Sequence, residues 1–132
     1  MYDTIVIGAG PAGMTAALYA GRSNLKVALL ERGIYGGQMN NTAEIENYPG
    51  YDHISGPALA EKMFEPLEKF GVDHIFGTLI RIEEDGPIKK VITEDGVLET
   101  KSIILAMGAK HRLLSVPGED TYNSRGVSYC AV

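Results

Sequence analysis

A glycine-rich turn near the start of the chain, between a strand-like run and a helix-like run, limits the folds open to this sequence. The β-branched run Thr4-Ile-Val-Ile7 leads directly into Gly8-Ala-Gly-Pro-Ala-Gly13, and such a run is typical of a strand buried on both faces of a parallel sheet. Residues 14–22, rich in Ala and Leu, predict a helix, and residues 26–30 predict a second strand. This order indicates an α/β fold.

The spacing of the glycines gives each of them a separate task. In a G-x-G-x-x-G turn, Gly8 permits the tight bend, Gly10 lets the backbone approach a pyrophosphate, and Gly13 lets helix and strand pack closely. The free N–H groups of the following helix attract phosphate. Glu31, at the carboxyl end of the second predicted strand, would accept hydrogen bonds from ribose hydroxyls and repel a 2′-phosphate. The pattern predicts a dinucleotide site, but by itself it does not decide between NAD and FAD.

The region after the third predicted strand, residues 72–76, contains short β runs instead of a crossover helix. The turn signals Gly86-Pro87 and Asp95-Gly96 separate these runs and are typical of hairpins. The runs are residues 79–83, 88–93 and 97–100, and a buried strand at residues 102–106 follows them. An antiparallel three-stranded meander in this place is, by analogy of fold, typical of flavoproteins that bind two dinucleotides.

A long segment, residues 32–55, has neither helical nor strand periodicity, and loops of that length are usually functional or disordered. It carries Gly36-Gly-Gln-Met39 and Glu46-Asn-Tyr-Pro-Gly50. Paired glycines allow close approach to a planar ligand, and Gln38 and Asn47 supply amide groups. A polar surface loop is the alternative. The helix predicted at residues 56–70 has apolar side chains at helical spacing that we assign to the core.

Composition narrows the class of partner. The chain has 12 Lys and Arg against 17 Asp and Glu, a net charge of −5, which argues against nucleic acid. Its single cysteine, Cys130, excludes an intramolecular disulfide framework and a multi-cysteine metal site; the spacing of His53, His74 and His111 suggests no metal site either.

The apolar run at residues 4–20 is interrupted by Gly and Pro and lacks a preceding Lys or Arg, so we expect no secretory signal, no membrane span and a cytoplasmic location.

Motifs along essentially the whole chain resemble those in the amino-terminal part of bacterial-type, low-molecular-weight thioredoxin reductases. Members of this family are FAD-dependent pyridine nucleotide-disulfide oxidoreductases. Beyond the glycine-rich turn, these motifs are Gly36-Gly-Gln38, Glu46-Asn-Tyr-Pro-Gly50, Ser55-Gly-Pro57, Ala106-Met-Gly-Ala109, Val116-Pro-Gly118 and Arg125-Gly-Val-Ser-Tyr-Cys130-Ala-Val132. The later motifs are far more specific than the turn.

The resemblance implies which residues contact FAD. The pyrophosphate would lie at residues 10–12, the adenosine ribose near Glu31 and Arg32, and the isoalloxazine beside Asn47. Met107 stands where the family usually has threonine, which weakens any hydroxyl contact there. The implied contacts are Gly8, Gly10, Pro11, Ala12, Gly13, Glu31, Arg32, Gly36, Gly37, Gln38, Asn47 and Gly108.

The resemblance also implies a role for Cys130 and a division into domains. Cys130 matches the first cysteine of a Cys-x-x-Cys redox pair, the one that attacks the disulfide of thioredoxin; the second would follow one place beyond Val132. Residues 1–115 would form the first segment of a Rossmann-like FAD-binding domain, and residues 116–132 the truncated start of an NADPH-binding domain with its first strand. The full-length homodimer would pass electrons from NADPH through FAD to thioredoxin, and the fragment alone would be inactive.

Three other interpretations stay open at this point. A ferredoxin NADP reductase of the thioredoxin-reductase-like kind would keep the fold but lack the redox pair, so the residue two places after Ala131 separates the two. A non-enzymatic nucleotide-binding domain, complete at 132 residues, would fold and hold a nucleotide on its own. An NAD-linked dehydrogenase is the weakest, because no catalytic His or Tyr/Lys arrangement accompanies the turn.

Overall fold

The computed structural model describes residues 1–129, without the side chain of Asp85. Cys130 therefore lies outside the described residues. The elements, in chain order, are β1 (Tyr2–Ile7), α1 (Pro11–Arg22), β2 (Val27–Glu31), a short 3₁₀ helix (Gly37–Asn41), α2 (Gly56–Lys69), β3 (Asp73–Phe76), β4 (Leu79–Asp85), β5 (Ile88–Thr93) and β6 (Gly96–Leu105).

All six strands form one sheet in the order β3-β2-β1-β6-β5-β4. The first four strands of this order are parallel, and β4, β5 and the beginning of β6 pair antiparallel as a meander. This confirms the predicted Rossmann-like α/β fold with a meander in place of a crossover helix. Because parallel strands share a direction, the carboxyl ends of β1, β2, β3 and β6 lie at one edge of the sheet, where ligands bind in such folds.

The last strand differs from the prediction. The sequence predicted two strands, residues 97–100 and 102–106, whereas the structure has one strand of 10 residues. Thr100 is the residue at which β6 changes partner: it pairs with Lys89 of β5 on one side and with Tyr2 of β1 on the other. Its side chain is fully buried and donates a hydrogen bond to the Ser102 carbonyl oxygen at 2.9 Å. The meander and the parallel sheet are therefore joined within one strand.

Alternate residues of the central strands build two separate cores, one on each face of the sheet. Val6 of β1 and Leu29 of β2 pack with Met14 of α1 and Leu67 of α2 on the helical face. The opposite face holds the second core, whose buried members are Ile5, Ile7, Ala28, Leu30 and Val91. Since Val91 belongs to β5, the meander contributes directly to covering this second face.

Two polar side chains of β1 tie it to other strands. The Tyr2 hydroxyl donates to Asp73 Oδ2 at 3.0 Å, and Asp3 accepts from Lys101 Nζ at 2.7 Å and from the Lys26 N–H at 2.8 Å. Burial raises the pKa of Tyr2, and its bond to Asp73 raises it further. The hydrogen bond from Lys101 lowers the pKa of Asp3. A lowered carboxyl pKa stabilises the fold only while the group is charged, so this link is lost as the pH falls through that pKa.

The segment after β6 has little regular structure. Residues 106–129 form turns and extended backbone, with one isolated bridge between Asn123 and Val127. The described part of the second predicted domain, residues 116–129, contains no other strand pairing. The boundary between residues 115 and 116 stays a prediction.

We expect Leu29→Ala to lower the free energy of unfolding by about 3 kcal/mol, the usual cost of removing a buried leucine from a packed core. Leu29 is 0% exposed. The matched control is Leu25→Ala, because Leu25 is 43% exposed just before β2 and should cost less than about 0.5 kcal/mol. Urea denaturation followed by far-UV circular dichroism measures both. Equal losses would contradict the assignment of the helical-face core.

Candidate functional site

The glycine-rich turn connects β1 to α1 and touches the end of β6. Gly8 has a φ of +101°, in the region that favours glycine, and a Cβ there would overlap the Ala106 carbonyl oxygen. A Cβ on Gly13 would overlap the Gly8 carbonyl oxygen in the same way. Both glycines are therefore required by the close packing of strand, helix and β6, as the spacing predicts.

Gly10 is different, because the fold itself does not require it. A Cβ at Gly10 would meet no atom within 4 Å, and its backbone, with φ −73° and ψ −179°, suits any residue. The missing side chain leaves free space directly above the start of α1. This is the position at which the sequence pattern predicts the approach of a pyrophosphate.

The first turn of α1 is free to bind an anion. Its N-cap, Gly10, has no side chain to bond the helix N–H groups, and the turn contains no acidic residue. Pro11 has no N–H, so the backbone N–H groups of Ala12 and Gly13 are the donors that helix geometry leaves without an intrahelical acceptor. Together with the helix dipole, they make this end of α1 attractive to phosphate.

Glu31 holds the turn in place. Its Oε2 accepts from the Ala9 N–H at 2.8 Å, and its Oε1 accepts from the Gly33 N–H at 2.9 Å. A carboxylate oxygen has more than one acceptor site, so Glu31 can bind ribose hydroxyls while it keeps these two bonds. Sequence reasoning missed this second role, since nothing in a local pattern links residue 31 to residue 9.

A cleft of about 260 Å³ opens at the carboxyl ends of β1 and β2. Gly8, Glu31, Arg32 and Met107 line it, which brings together residues that the sequence predicted separately. Its volume is below the usual range for a drug-sized ligand, so it suits one end of a dinucleotide. Thr78, which follows β3, also lines the cleft and was not predicted, although its place just after a parallel strand was an available signal.

The paired glycines of the long loop lie against the turn. The Gly36 N–H donates to the Ala9 carbonyl oxygen at 2.7 Å, and a Cβ on Gly37 would be 3.3 Å from the Gly10 Cα. Both glycines have positive φ, +109° and +57°. Gln38 follows in the 3₁₀ helix, where its Oε1 accepts from Asn41 Nδ2 at 3.1 Å. The loop therefore continues the surface of the turn, as a cofactor extending past Gly10 requires.

Asn47 lies in a hairpin-like part of the same loop. The Ile45 and Ile54 backbones exchange hydrogen bonds of 2.8 and 3.0 Å at its base, and the Tyr48 and Tyr51 rings approach to 6.3 Å within it. Asn47 itself is exposed. Its contact with an isoalloxazine stays a prediction.

The end of β6 closes the other side of the turn. The Ala106 N–H donates to the Ile7 carbonyl oxygen at 2.8 Å, which places Met107 at the cleft with 61% of its surface exposed. Gly108 follows with a φ of +68° and is exposed. Since methionine has no hydroxyl, the side chain of residue 107 can offer a ligand only an apolar thioether contact.

Two features are absent from residues 1–129: a cluster of metal-ligating side chains and a helix that could cross a membrane. Within residues 1–129, no cluster of three or more His, Cys, Asp or Glu side chains could hold a metal ion. His74 packs edge-on against Phe64 and His111 stacks on Tyr129. None of the helices in that range has the length and apolar character needed to span a bilayer.

The sequence and the fold of this chain are both similar to those of known thioredoxin reductases. The chain is 48% identical to Bacillus subtilis thioredoxin reductase over 132 residues, all of this chain and 42% of that protein. The crystal structure of Lactococcus lactis thioredoxin reductase superimposes with a TM-score of 0.88 at 62% identity, covering 99% of this chain and 43% of the other. The crystal structure of Streptococcus pyogenes thioredoxin reductase superimposes with a TM-score of 0.86 at 67% identity, covering 99% of this chain and 43% of the other. This chain thus spans less than half the length of these relatives.

The family model described as pyridine nucleotide-disulphide oxidoreductase matches residues 2–132. The match includes the glycine-rich turn, Glu31, the paired glycines and the residues that line the cleft, and it extends over almost the whole sequence. The chain belongs to the pyridine nucleotide-disulphide oxidoreductase family.

Proposed function

We propose that this chain is the FAD-binding part of a thioredoxin-disulfide reductase that passes electrons from NADPH to thioredoxin. The observation that carries the proposal is the open space at Gly10, next to the first-turn N–H groups of α1. The cleft at Glu31 and the paired glycines of the loop extend the site from the same turn. The names of the similar proteins support the choice of thioredoxin reductase within the family.

The residues of the turn hold the cofactor. The N–H groups of Ala12 and Gly13 bind the pyrophosphate, and Gly10 lets it come close to the backbone. Glu31 accepts hydrogen bonds from the adenosine ribose. Its charge repels a 2′-phosphate, so this site favours FAD, which has a free 2′-hydroxyl, over NADPH, which carries the phosphate. Arg32, at the same cleft, adds a positive charge near the adenosine end.

The loop and the end of β6 cover the rest of the cofactor. Gly36 and Gly37 let it pass close to the backbone, while Gln38 and Asn47 offer amide groups on the flavin side. Gly108 closes on it from the end of β6. Bound FAD supplies the two-electron chemistry that links a nicotinamide to a disulfide.

Cys130 is the attacking thiol of the proposed reaction. Its thiolate attacks one sulfur of the thioredoxin disulfide, a mixed disulfide forms, and the other sulfur leaves as a thiolate. The partner cysteine of the Cys-x-x-Cys pair, which we expect one place beyond Val132, then attacks the Cys130 sulfur of the mixed disulfide; a disulfide forms between the two cysteines of the pair, and thioredoxin leaves with both of its sulfurs reduced. The reaction suits the reducing cytoplasm, where we place the protein as a homodimer in its full-length form.

We expect Gly10→Ala to weaken FAD binding by about 100-fold, because a Cβ would keep the pyrophosphate from the N–H groups of Ala12 and Gly13, and losing a hydrogen bond to a charged group costs about 1.5–3 kcal/mol. The fold should be unchanged, since the methyl group meets no protein atom within 4 Å. Quenching of flavin fluorescence during titration measures the affinity, and far-UV circular dichroism measures the fold.

Two controls bracket this variant. Gly13→Ala should disrupt the fold itself, because its Cβ would overlap the Gly8 carbonyl oxygen. Thr15→Ala, on the exposed side of α1, should change neither the affinity for FAD nor the far-UV circular dichroism spectrum. FAD binding by Gly10→Ala equal to that of the unaltered chain would refute the cofactor site.

We expect a chimera, with residues 1–132 in place of the matching segment of Lactococcus lactis thioredoxin reductase, to reduce thioredoxin with NADPH. Cys130→Ser in the chimera should lower the rate by at least about 10³-fold, as loss of a catalytic nucleophile does, while the flavin spectrum remains. The decrease in the absorbance of the reduced nicotinamide measures the rate of NADPH oxidation. A chimera that binds FAD but reduces no disulfide would contradict the proposed activity.

A further inference from the structure

A second cavity opens beside the edge strand of the sheet. It has a volume of about 510 Å³, which lies in the range of cavities that hold small molecules. β3 is the outermost strand on this side of the sheet, and residues from the end of α2 and the beginning of β3 line the cavity. No residue lines both this cavity and the cleft at Glu31. We call it the edge cavity.

Core side chains form the base of the edge cavity. Leu29 of β2, Leu67 of α2 and Val72, which precedes β3, line it. These three residues are 0%, 2% and 8% exposed and belong to the hydrophobic core on the helical face. Because the packing of that core fixes their positions, the base is a preformed apolar surface.

An aromatic ring forms a wall of the edge cavity. Phe64 of α2 stacks on Tyr35, with ring centroids 4.0 Å apart and planes at 7°, and His74 of β3 packs edge-on against it at 5.0 Å. Phe64 and His74 both line the cavity. A ring held by two neighbours loses little entropy when a ligand binds, and its face attracts cations as well as apolar groups.

Two exposed carboxylates line the same cavity. Glu68 lies in the last turn of α2, and Asp73 begins β3. Asp73 Oδ2 accepts from the Tyr2 hydroxyl at 3.0 Å, whereas neither Asp73 Oδ1 nor the Glu68 carboxylate has a hydrogen-bond or ion-pair partner among residues 1–129. The carbonyl end of the α2 dipole adds negative charge at this place. The edge cavity is therefore apolar at its base and negative at its rim.

The lining of the edge cavity contains neither Lys nor Arg. Lys69 follows Glu68 in the chain, but its Nζ lies 5.8 Å from the centroid of the Phe70 ring. Lys26 Nζ lies 5.3 Å from the centroid of the Tyr2 ring. Since neither lysine lines the cavity, its two carboxylates have no counter-ion there and favour a cationic ligand.

A metal ion does not fit this group of side chains. In the part of the chain that the structure describes, no three His, Cys, Asp or Glu side chains are grouped so that they could hold a metal ion. A metal ion would also leave the apolar base and the Phe64 ring without a contact. A ligand that combines a positive charge with a flat apolar body matches both the rim and the base of the cavity.

We propose that the edge cavity binds a small organic cation with a flat apolar body, of the class of the arylamidinium and arylalkylammonium ions. The apolar body lies on Leu67 and Val72 beside the Phe64 ring, and the charged group binds Glu68 and Asp73. The assignment goes beyond the proposed function, because the edge cavity shares no residue with the proposed cofactor site.

We expect millimolar benzamidinium, a planar aromatic cation, to shift the backbone amide resonances of Glu68, Asp73 and His74 in proton–nitrogen correlation spectra of the 132-residue chain without FAD. Benzamide has the same shape but no charge, so it should bind about tenfold more weakly, and the benzoate anion should cause no shift. Nuclear Overhauser contacts should connect the ring protons of benzamidinium with Phe64 and Leu67.

Glu68→Gln and Asp73→Asn remove one charge each and keep the size of the side chain. Each should weaken benzamidinium binding about three- to fivefold, as the loss of one exposed ion pair does, and leave benzamide binding unchanged. Asp73→Asn keeps an acceptor for the Tyr2 hydroxyl. The matched control is Glu65→Gln, because Glu65 is exposed on the same helix but does not line the cavity; it should leave both affinities unchanged.

Equal affinities for benzamidinium and benzamide would overturn the proposal, because the carboxylates would then select no charge. The proposal is also wrong if Glu65→Gln weakens binding as much as Glu68→Gln, if the resonances of the Glu31 cleft shift instead, or if none shift. Should Asp73→Asn fail to fold, Glu68→Gln and the benzamide comparison decide the matter. None of these outcomes involves FAD or thioredoxin, so failure of the proposed function leaves them unchanged.

Discussion

The close approach of β1, α1 and the end of β6 at Gly8 and Gly13 is the contact on which the rest of the structure depends. At both positions a Cβ would overlap a carbonyl oxygen, so the two residues must be glycine for the helix to pack on the sheet. The Ala106 N–H bonds the Ile7 carbonyl oxygen at the same place. The N-terminus of α1 is thereby fixed at the edge where the parallel strands end, which is where the proposed cofactor binds.

Some residues at this edge stabilise the fold and also belong to the proposed ligand site, whereas others belong only to the ligand site. Glu31 bonds the Ala9 and Gly33 N–H groups and also lines the cleft, so it stabilises the turn and is part of the proposed ligand site as well. Gly10 has a role only in the proposed ligand site, because a Cβ there would meet no protein atom within 4 Å. That difference is what makes Gly10 a clean probe of cofactor binding, whereas substitutions at Gly8, Gly13 or Glu31 change the turn as well.

The segment after β6 is held by side-chain hydrogen bonds and not by a sheet or a helix. It has almost no regular structure, so its backbone groups need partners other than a sheet or a helix. Glu119 provides two of them at once, and Tyr129 shares one. A few side-chain bonds of this kind hold the described part of this segment in place without burying much apolar surface.

The sequence by itself determined the strand–turn–helix order, the glycine positions, the hairpin turns of the meander and the resemblance that led to the family, because all of these depend on residues close together in the chain. Only the tertiary structure decided that β6 continues through Thr100, where it changes from one partner strand to another, that Glu31 bonds Ala9, and that Glu119 and Tyr129 meet at Leu114. These features are contacts between residues far apart in sequence or bonds from a side chain to a specific backbone group, and local periodicity carries no information about either.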